Sequence, residues 1–294
     1  MRTAGRSTDG ILVPPVKIQG IKTRLIGWIG ENVRVLPGAV WHEPFMGSGA
    51  VGLNLAPGKA VFSDTNPHII ALYRAIAEGE IDALAVRGFL EEEGERLRKH
   101  GEAHYLAVRE RFNREHAPLD FLFLNRCCFN GVVRFNKNHA FNTPFGHNPE
   151  RFSKAYVTKV VNQVRCFAER ARAGAWEFHC RPFRESIAEA KAADFIYCDP
   201  PYIGRNAGYY DGWHEADETA LRDALFSSKA RYMVSTWTRC GEQENPYVQS
   251  VWRGCRIAEH PHRYFVGPKD SNRPSVTEAL LLNYLPEENP LQDG

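Results

Sequence analysis

The chain has 294 residues, 43% of them apolar, with 24 Gly, 18 Pro and a formal net charge of +2; this is the make-up of a globular protein with its own core, and it excludes collagenous and disordered classes. An apolar run of about eighteen residues is absent, so no helix is expected to span a membrane. The polar amino terminus, residues 1–10, lacks the apolar core of a secretion signal, and the expected compartment is the cytoplasm. The 7 cysteines, an odd number without ligand spacing, read as reduced small hydrophobes rather than disulfide partners or metal ligands, and no metal is expected.

Short runs rich in Val, Ile and Phe predict strands at 40–45, 60–63, 176–180, 195–198, 232–236, 262–266 and 279–284. Helical patterns separate the early ones, which is the alternation of an α/β sheet. The last two runs lack an intervening helix, so antiparallel strands are expected at that end of the sheet.

The first strand leads into Gly47-Ser48-Gly49-Ala50-Val51-Gly52, the G-x-G-x-x-G spacing that lets backbone amides approach a nucleotide. The second strand ends in Asp64, where a carboxylate either receives ribose hydroxyls or caps the helix beginning near Asn66. These two features alone fit NAD as well as any other nucleotide cofactor.

Between the second and third strands the periodicity is helical: Asn66 caps a helix through Tyr73, and further helices are predicted at 82–99, 103–112 and 153–172. This stretch reads as an insertion over 76–174, interrupting a domain made of 1–75 and 175–294. Asn130-Gly131 is a turn signal between short aromatic runs, which predicts a hairpin near 125–137. From Arg126 to Lys159 the basic residues Arg126, Arg134, Lys137, Arg151, Lys154 and Lys159 face a single acid, Glu150, and Phe129, Phe135, Phe141 and Phe145 lie among them. Such a surface suits phosphates and bases, or is a solvated basic face.

The strand at 195–198 gives way to Asp199-Pro200-Pro201-Tyr202. An acid, a rigid turn and an aromatic face are the parts needed to hold a flat, amino-bearing ring. An adenine amine is conjugated with its ring and is a poor nucleophile; Asp199 and the Pro200 carbonyl would accept its two hydrogens and favour a tetrahedral nitrogen, with Tyr202 stacked on the base. Beyond it, the glycine-rich and aromatic stretch 203–210 either closes over such a base, with Arg205 on a phosphate, or is an exposed loop. Lys269, Arg273 and Ser275 suit nucleic-acid backbone contacts. Trp213 and His214 read as packing or loop residues, and 287–294 as a loose tail.

Taken in order, Glu43-Pro44-Phe45-Met46-Gly47-Ser48-Gly49, Ser63-Asp64-Thr65-Asn66, Leu124-Asn125-Arg126 with Phe129-Asn130-Gly131 and Arg134-Phe135-Asn136, Phe141-Asn142-Thr143-Pro144-Phe145-Gly146 and Asp199-Pro200-Pro201-Tyr202 resemble the Dam-like DNA adenine-N6 methyltransferases. The likeness runs from about Lys17 to Tyr284. It implies a class I, Rossmann-like methyltransferase fold, a mixed sheet with a mostly helical DNA-recognition insertion. It also implies S-adenosyl-L-methionine as methyl donor, released as S-adenosyl-L-homocysteine, and a flipped adenine in double-stranded DNA as target.

The resemblance assigns Asp199, Pro200 and Tyr202 to catalysis. It assigns Lys22, Phe45, Gly47, Gly49, Asp64, Phe183 and Asp199 to the donor, with Lys22 beside its methionine part and Phe183 near its adenine. Arg126, Phe129, Asn130, Arg134, Lys137 and Arg205 are the expected DNA contacts, with Phe129 and Asn130 at the hairpin tip and Arg134 on a guanine edge. Cys127-Cys128 departs from the larger or more polar residues usual there. Methylation of RNA adenine or of DNA cytosine N4, and a catalytically silent DNA-binding module, remain as other readings. A monomer suffices, and pairing with a restriction endonuclease is compatible with the pattern.

Overall fold

The computed structural model describes residues 10–203, 213–262 and 275–285. Its elements in chain order are α1 (Ile26–Asn32), β1 (Trp41–Glu43), α2 (Ala50–Leu55), β2 (Ala60–Asp64), α3 (Pro67–Glu78), α4 (Ala83–His100), α5 (Glu102–Glu115), α6 (Pro118–Cys127), a 3-10 turn (Phe129–Gly131) and α7 (Lys154–Ala173). There follow β3 (Glu177–Cys180), α8 (Phe183–Ala188), β4 (Phe195–Cys198), α9 (Glu215–Ser227), β5 (Arg231–Cys240), β6 (Gln243–Glu244), α10 (Pro246–Ser250), β7 (Arg256–His262) and β8 (Val276–Leu282). They fall into two compact units. The first comprises residues up to Ile26, Gly47–Ala56 and Asp64–Cys180; the second comprises Gly27–Met46, Pro57–Ser63 and the described residues from Arg181 onward. The predicted insertion, 76–174, lies wholly within the first.

Strands of the second unit are ordered β2-β1-β4-β5-β8-β7, with β6 beside β5. β1 pairs in parallel with β2 and β4, and β4 in parallel with β5, whereas β8 runs antiparallel to both β5 and β7. A parallel sheet ending in an antiparallel pair is the class I methyltransferase arrangement, and the sense of winding reverses at β1 and β4, where open α/β sheets bind ligands.

Every residue of β4 is buried, because a central parallel strand is covered on both faces. Its period-two alternation sends Ile196 and Cys198 into a cluster with Leu221, Leu225, Val234, Trp252 and Leu281. Phe195 and Tyr197 stack instead on Trp41, with ring centroids 5.1 and 5.9 Å away.

In the first unit the helices begin where their capping residues predict. Asn66 Oδ1 accepts from His68 N at 3.0 Å and Ile69 N at 3.3 Å, with Pro67 supplying a first-turn residue that lacks an amide hydrogen. Asp82 Oδ1 accepts from Ala85 N at 2.7 Å, and Ser153 Oγ from Tyr156 N at 3.4 Å. Buried Glu93 ties three helices together: its carboxylate meets His104 of α5 at 2.6 Å and Arg111 at 3.2 Å, while Arg111 also grips Asp120 of α6 at 2.8 and 2.5 Å.

Several elements depart from expectation. α6 is buried at every position from Asp120 to Cys127, so the run Phe121-Leu122-Phe123-Leu124 has no polar face and no helical period to read. β7 ends at His262, ahead of the strand expected at 262–266, whose remaining residues lie outside the described set. The hairpin also shifts. Residues 125–127 finish α6, and antiparallel bridges join Cys128 to Phe145 and Phe135 to Phe141. The bend falls at Asn136–Ala140, where Asn136 N donates to Ala140 O at 2.9 Å, instead of at Phe129-Asn130.

Candidate active site and nucleic-acid interface

The glycine loop of the first unit is shaped by backbone conformation. Gly47 (φ 49°) and Gly49 (φ 69°) are both left-handed, and Gly49 forms the amino-terminal cap of α2. A β-carbon added at Gly47 would meet only Ile18 Cδ1, at 3.9 Å, so conformation, not crowding, calls for glycine there. Tyr73 Oη donates to Ser48 O at 2.5 Å and pins the loop.

Asp64, at the end of β2, receives Gly47 N on Oδ2 and Asn66 N on Oδ1, each at 2.8 Å. Burial pushes its carboxyl up, while backbone bonds from Asn66, Gly47 and Thr65 pull it down. Of the two expected roles, the brace at the start of α3 is seen, and the same carboxylate also holds the glycine loop. Lys22 is 6% exposed, with Nζ 3.3 Å from Gly20 O.

In the second unit, Phe45 and Asp199 leave the carboxyl ends of the neighbouring strands β1 and β4. Phe45 stacks on Phe183 with centroids 5.4 Å apart, and Trp213 meets Phe45 edge-on at 5.5 Å and lies 5.8 Å from Phe183. The sequence reading took Trp213 as a packing or loop residue, and it packs; its partners are distant in sequence and carry no local signal.

Asp199 and Tyr202 are partly exposed and Pro200 is buried. Tyr202 Oη donates to Glu278 Oε2 at 3.0 Å, and Glu278 is 1% exposed on β8. Tyr197, two residues before Asp199, shares a 2.7 Å hydrogen bond with Ser235. Burial raises the Tyr197 hydroxyl well above its ordinary value, and the charges of Asp199, Glu43 and Glu278 add to that rise. Three carboxyl groups, those of Asp199, Glu43 and Glu278, thus lie near the Tyr197 hydroxyl toward the carboxyl end of β4. Glu278 is a second residue without a sequence signal, since it sits alone in an apolar strand.

The basic segment divides by burial. Arg126, an expected DNA contact, is 3% exposed; its Nη2 donates to Gln163 Oε1 at 2.5 Å and to Pro14 O at 3.4 Å, and burial lowers its pKa. That charge is engaged inside the first unit. Arg151 is similarly occupied, donating to Arg126 O and Tyr156 Oη, both at 2.8 Å. Arg134, Lys137, Lys154 and Lys159 are exposed.

Arg134 is oriented by Asn142, with Nε 2.8 Å from its Oδ1 and Nη2 3.2 Å from its O. Phe129 is 50% exposed, and Asn130 takes a left-handed turn (φ 53°) beside it. Both sit at the base of the hairpin, where Phe129 N donates to Pro144 O at 2.9 Å. Cys127 and Cys128 are buried free thiols, and burial pushes Cys128 up to about 12. Arg205, Lys269 and Arg273 lie outside the described residues.

Among the described residues, no group of His, Cys, Asp or Glu is arranged to hold a metal ion, and no helix is long and apolar enough to cross a membrane.

The model of the D12 class of N6 adenine-specific DNA methyltransferases matches residues 19–264. The retron Ec67 DNA adenine methylase of Escherichia coli is 33% identical over 277 residues, covering 91% of this chain and 90% of that protein. The DNA adenine methylase of Haemophilus influenzae is 33% identical over 255 residues, 82% of this chain and 83% of its own. The Type II methyltransferase M.FokI of Planomicrobium okeanokoites is 27% identical over 291 residues, 94% of this chain but 44% of that protein, so the chain spans less than half of that relative.

Proposed function

Because the chain belongs to the D12 class of N6 adenine-specific DNA methyltransferases, we propose which of its residues hold the methyl donor, the target adenine and the DNA. Membership makes the protein an enzyme that methylates the N6 amine of adenine at specific sites in duplex DNA, with S-adenosyl-L-methionine as the implied donor. The residues fit that donor. Left-handed Gly47 and Gly49 leave the loop backbone open to a ligand, the Asp64 carboxylate has lone pairs for ribose hydroxyls beyond its two amide bonds, and Phe45 with Phe183 offers a stacked surface for a purine. Lys22 is assigned to the methionine part.

The observation that carries the catalytic assignment is the position of Asp199-Pro200-Pro201-Tyr202 directly after β4, with Tyr202 held by buried Glu278. When bound, the donor supplies an electrophilic methyl group on a sulfonium centre. Asp199 Oδ and the Pro200 carbonyl accept the two N6 hydrogens of a flipped adenine, draw its lone pair out of ring conjugation and orient it for in-line attack. Tyr202 stacks on the base, and its bond to Glu278 fixes the position of the ring's far end. Asp199 acts as an orienting acceptor: as the N–methyl bond would form and the S–methyl bond break, the amine becomes acidic, and its proton would leave through Asp199 to solvent.

On the DNA side, Phe129 enters or abuts the base stack beside Asn130, Arg134 reads a base edge, and Lys137 neutralises phosphate. Arg126 is omitted because its guanidinium is buried. Arg205 is retained as a phosphate contact on its sequence position. A monomer suffices, because each transfer uses one set of these residues. Pairing with a restriction endonuclease is a further proposal compatible with this reading. No metal takes part in this reading.

The test is methylation of mixed-sequence duplex DNA followed by single-molecule sequencing. Modified adenines in one sequence context are expected, and Asp199→Ala should abolish them while still binding S-adenosyl-L-homocysteine. Label in cytosine or RNA instead, or near-normal turnover by Asp199→Ala, overturns the assignment.

A further inference from the structure

We propose that Trp213 is a third aromatic wall of the methyl-donor site, held beside Phe45 and Phe183 by the buried carboxylate of Glu218; this rests on the assignment of Phe45 and Phe183 to the donor's adenine. The rings form a corner. Phe45 and Phe183 are near parallel, 24° apart, whereas Trp213 stands at 82° to Phe45 and 59° to Phe183. All three are only partly buried, though each packs against the core cluster of the second unit. A planar purine entering such a corner gains one stacked face and one perpendicular aromatic neighbour, the two favourable aromatic geometries.

Glu218 is what sets the corner. It lies on α9 at 5% exposure, and its oxygens are divided between two indoles: Oε2 accepts Trp213 Nε1 at 2.5 Å and Oε1 accepts Trp252 Nε1 at 2.6 Å. Trp252 is 1% exposed among Leu221, Leu225, Val248 and Val251. The immobile core indole therefore orients the carboxylate, and the carboxylate orients the half-exposed one. Burying a carboxylate against neutral donors is costly, and a Leu or Met would fill the same volume without that cost. What apolar packing would not supply is a fixed angle for the Trp213 ring. Glu218 is a positioning residue, and its effect is expected on the affinity of any ligand carrying the donor's adenosine part.

The experiment is titration of the full-length protein with S-adenosyl-L-homocysteine, followed by calorimetry and by tryptophan fluorescence. Wild type should bind with a fluorescence change, and Trp213→Phe should lose most of that change while weakening binding only about threefold. Trp213→Ala should weaken it roughly tenfold or more. Glu218→Gln, whose amide offers one acceptor oxygen for two indole donors, should weaken binding about threefold to tenfold in wild type, yet add little in the Trp213→Phe background, where only Trp252 still needs an acceptor. Wild-type affinity in Trp213→Ala, or an undiminished fluorescence change in Trp213→Phe, overturns the proposal. An equal Glu218→Gln loss in both backgrounds also overturns it, because Glu218 would then act through the core. If Glu218→Gln fails to fold, the two Trp213 variants decide alone. Failure of wild type to bind the ligand is a separate result: it removes the donor assignment itself.

Discussion

The hydroxyl of Tyr202 and the carboxylate of Glu278 meet at 3.0 Å, joining the loop after β4 to a strand two places along the sheet. Tyr202→Phe keeps the ring but leaves one oxygen of a buried acid without that donor, a loss of about 1–3 kcal/mol. The expected outcome is a lower midpoint in urea denaturation and a several-fold drop in kcat at saturating substrates, with affinity for S-adenosyl-L-homocysteine unchanged by calorimetry. Glu278→Gln preserves an acceptor and should fall between wild type and Tyr202→Phe.

Asp64 makes a different prediction, because its carboxylate braces the loop as well as facing the proposed ribose. Asp64→Ala removes the 2.8 Å bonds to Gly47 N and Asn66 N together. Donor affinity should fall about 10- to 100-fold, the equivalent of roughly 1.4–2.7 kcal/mol. Asp64→Asn should be nearly as damaging, since its amide group must turn donor hydrogens toward one of two donors. Equal affinity in wild type and Asp64→Ala, measured by calorimetry, would remove this acid from donor binding both as a ribose partner and as a loop brace.

The exposed aromatic and the oriented arginine of the hairpin region should separate affinity from specificity. Phe129→Ala, at a residue 50% exposed, is expected to weaken duplex binding about tenfold with little change in thermal midpoint. Arg134→Ala should cost about 1–3 kcal/mol and relax sequence preference at one position. Lys137→Ala should weaken all duplexes alike and lower the salt dependence of binding by about one ion. Fluorescence anisotropy against a panel of duplexes at several salt concentrations distinguishes these patterns.

His68 predicts an acid-sensitive step. Its ring stacks on Phe135 at 5.0 Å and lies 4.9 Å from His116. Burial, then the His116 charge, lowers its pKa from 6.5 to about 4. The unfolded chain therefore binds more protons than the folded one between these values. Stability from this group is full above about pH 6.5 and is lost as pH falls toward 4, by on the order of 1–2 kcal/mol once solvent screening of the partly exposed ring is allowed for. Urea denaturation at several pH values should show the loss in wild type and a shallower slope in His68→Phe, which retains an aromatic ring against Phe135.

The strands flanking the chemistry were readable because a central parallel strand is apolar at each position and short: 195–198 is found as expected. Caps were equally plain, since Asn66, Asp82 and Ser153 each do locally what their side chains favour. α6 was not readable, because burial on all sides removes the period that marks a helix. The site follows the same division. Residues in contiguous motifs, such as Gly47, Asp64 and Asp199, can be proposed for the site from the sequence alone. Trp213, Glu218 and Glu278 act through partners brought together only by folding. Arg126 shows the reverse error, in which a positive charge counted toward a surface is spent on Gln163 and a backbone carbonyl.

Gly146 completes the neck of the hairpin. Its amide donates to Cys127 O at 2.9 Å, and a β-carbon there would lie 2.9 Å from Cys127 O and 3.0 Å from Cys128 O. With the Cys128–Phe145 bridge and the Phe129–Pro144 hydrogen bond, this neck holds both ends of the segment at a set spacing. Its bend, meanwhile, is closed by Asn136 alone, whose Oδ1 takes the amides of Asn138 and Ala140 at 2.9 and 3.1 Å. Substitutions around residues 137–139 therefore have little leverage on α6 or the helices behind it. In evolutionary terms the tip is a replaceable cassette on a fixed mount, free to vary while the helices behind it stay the same.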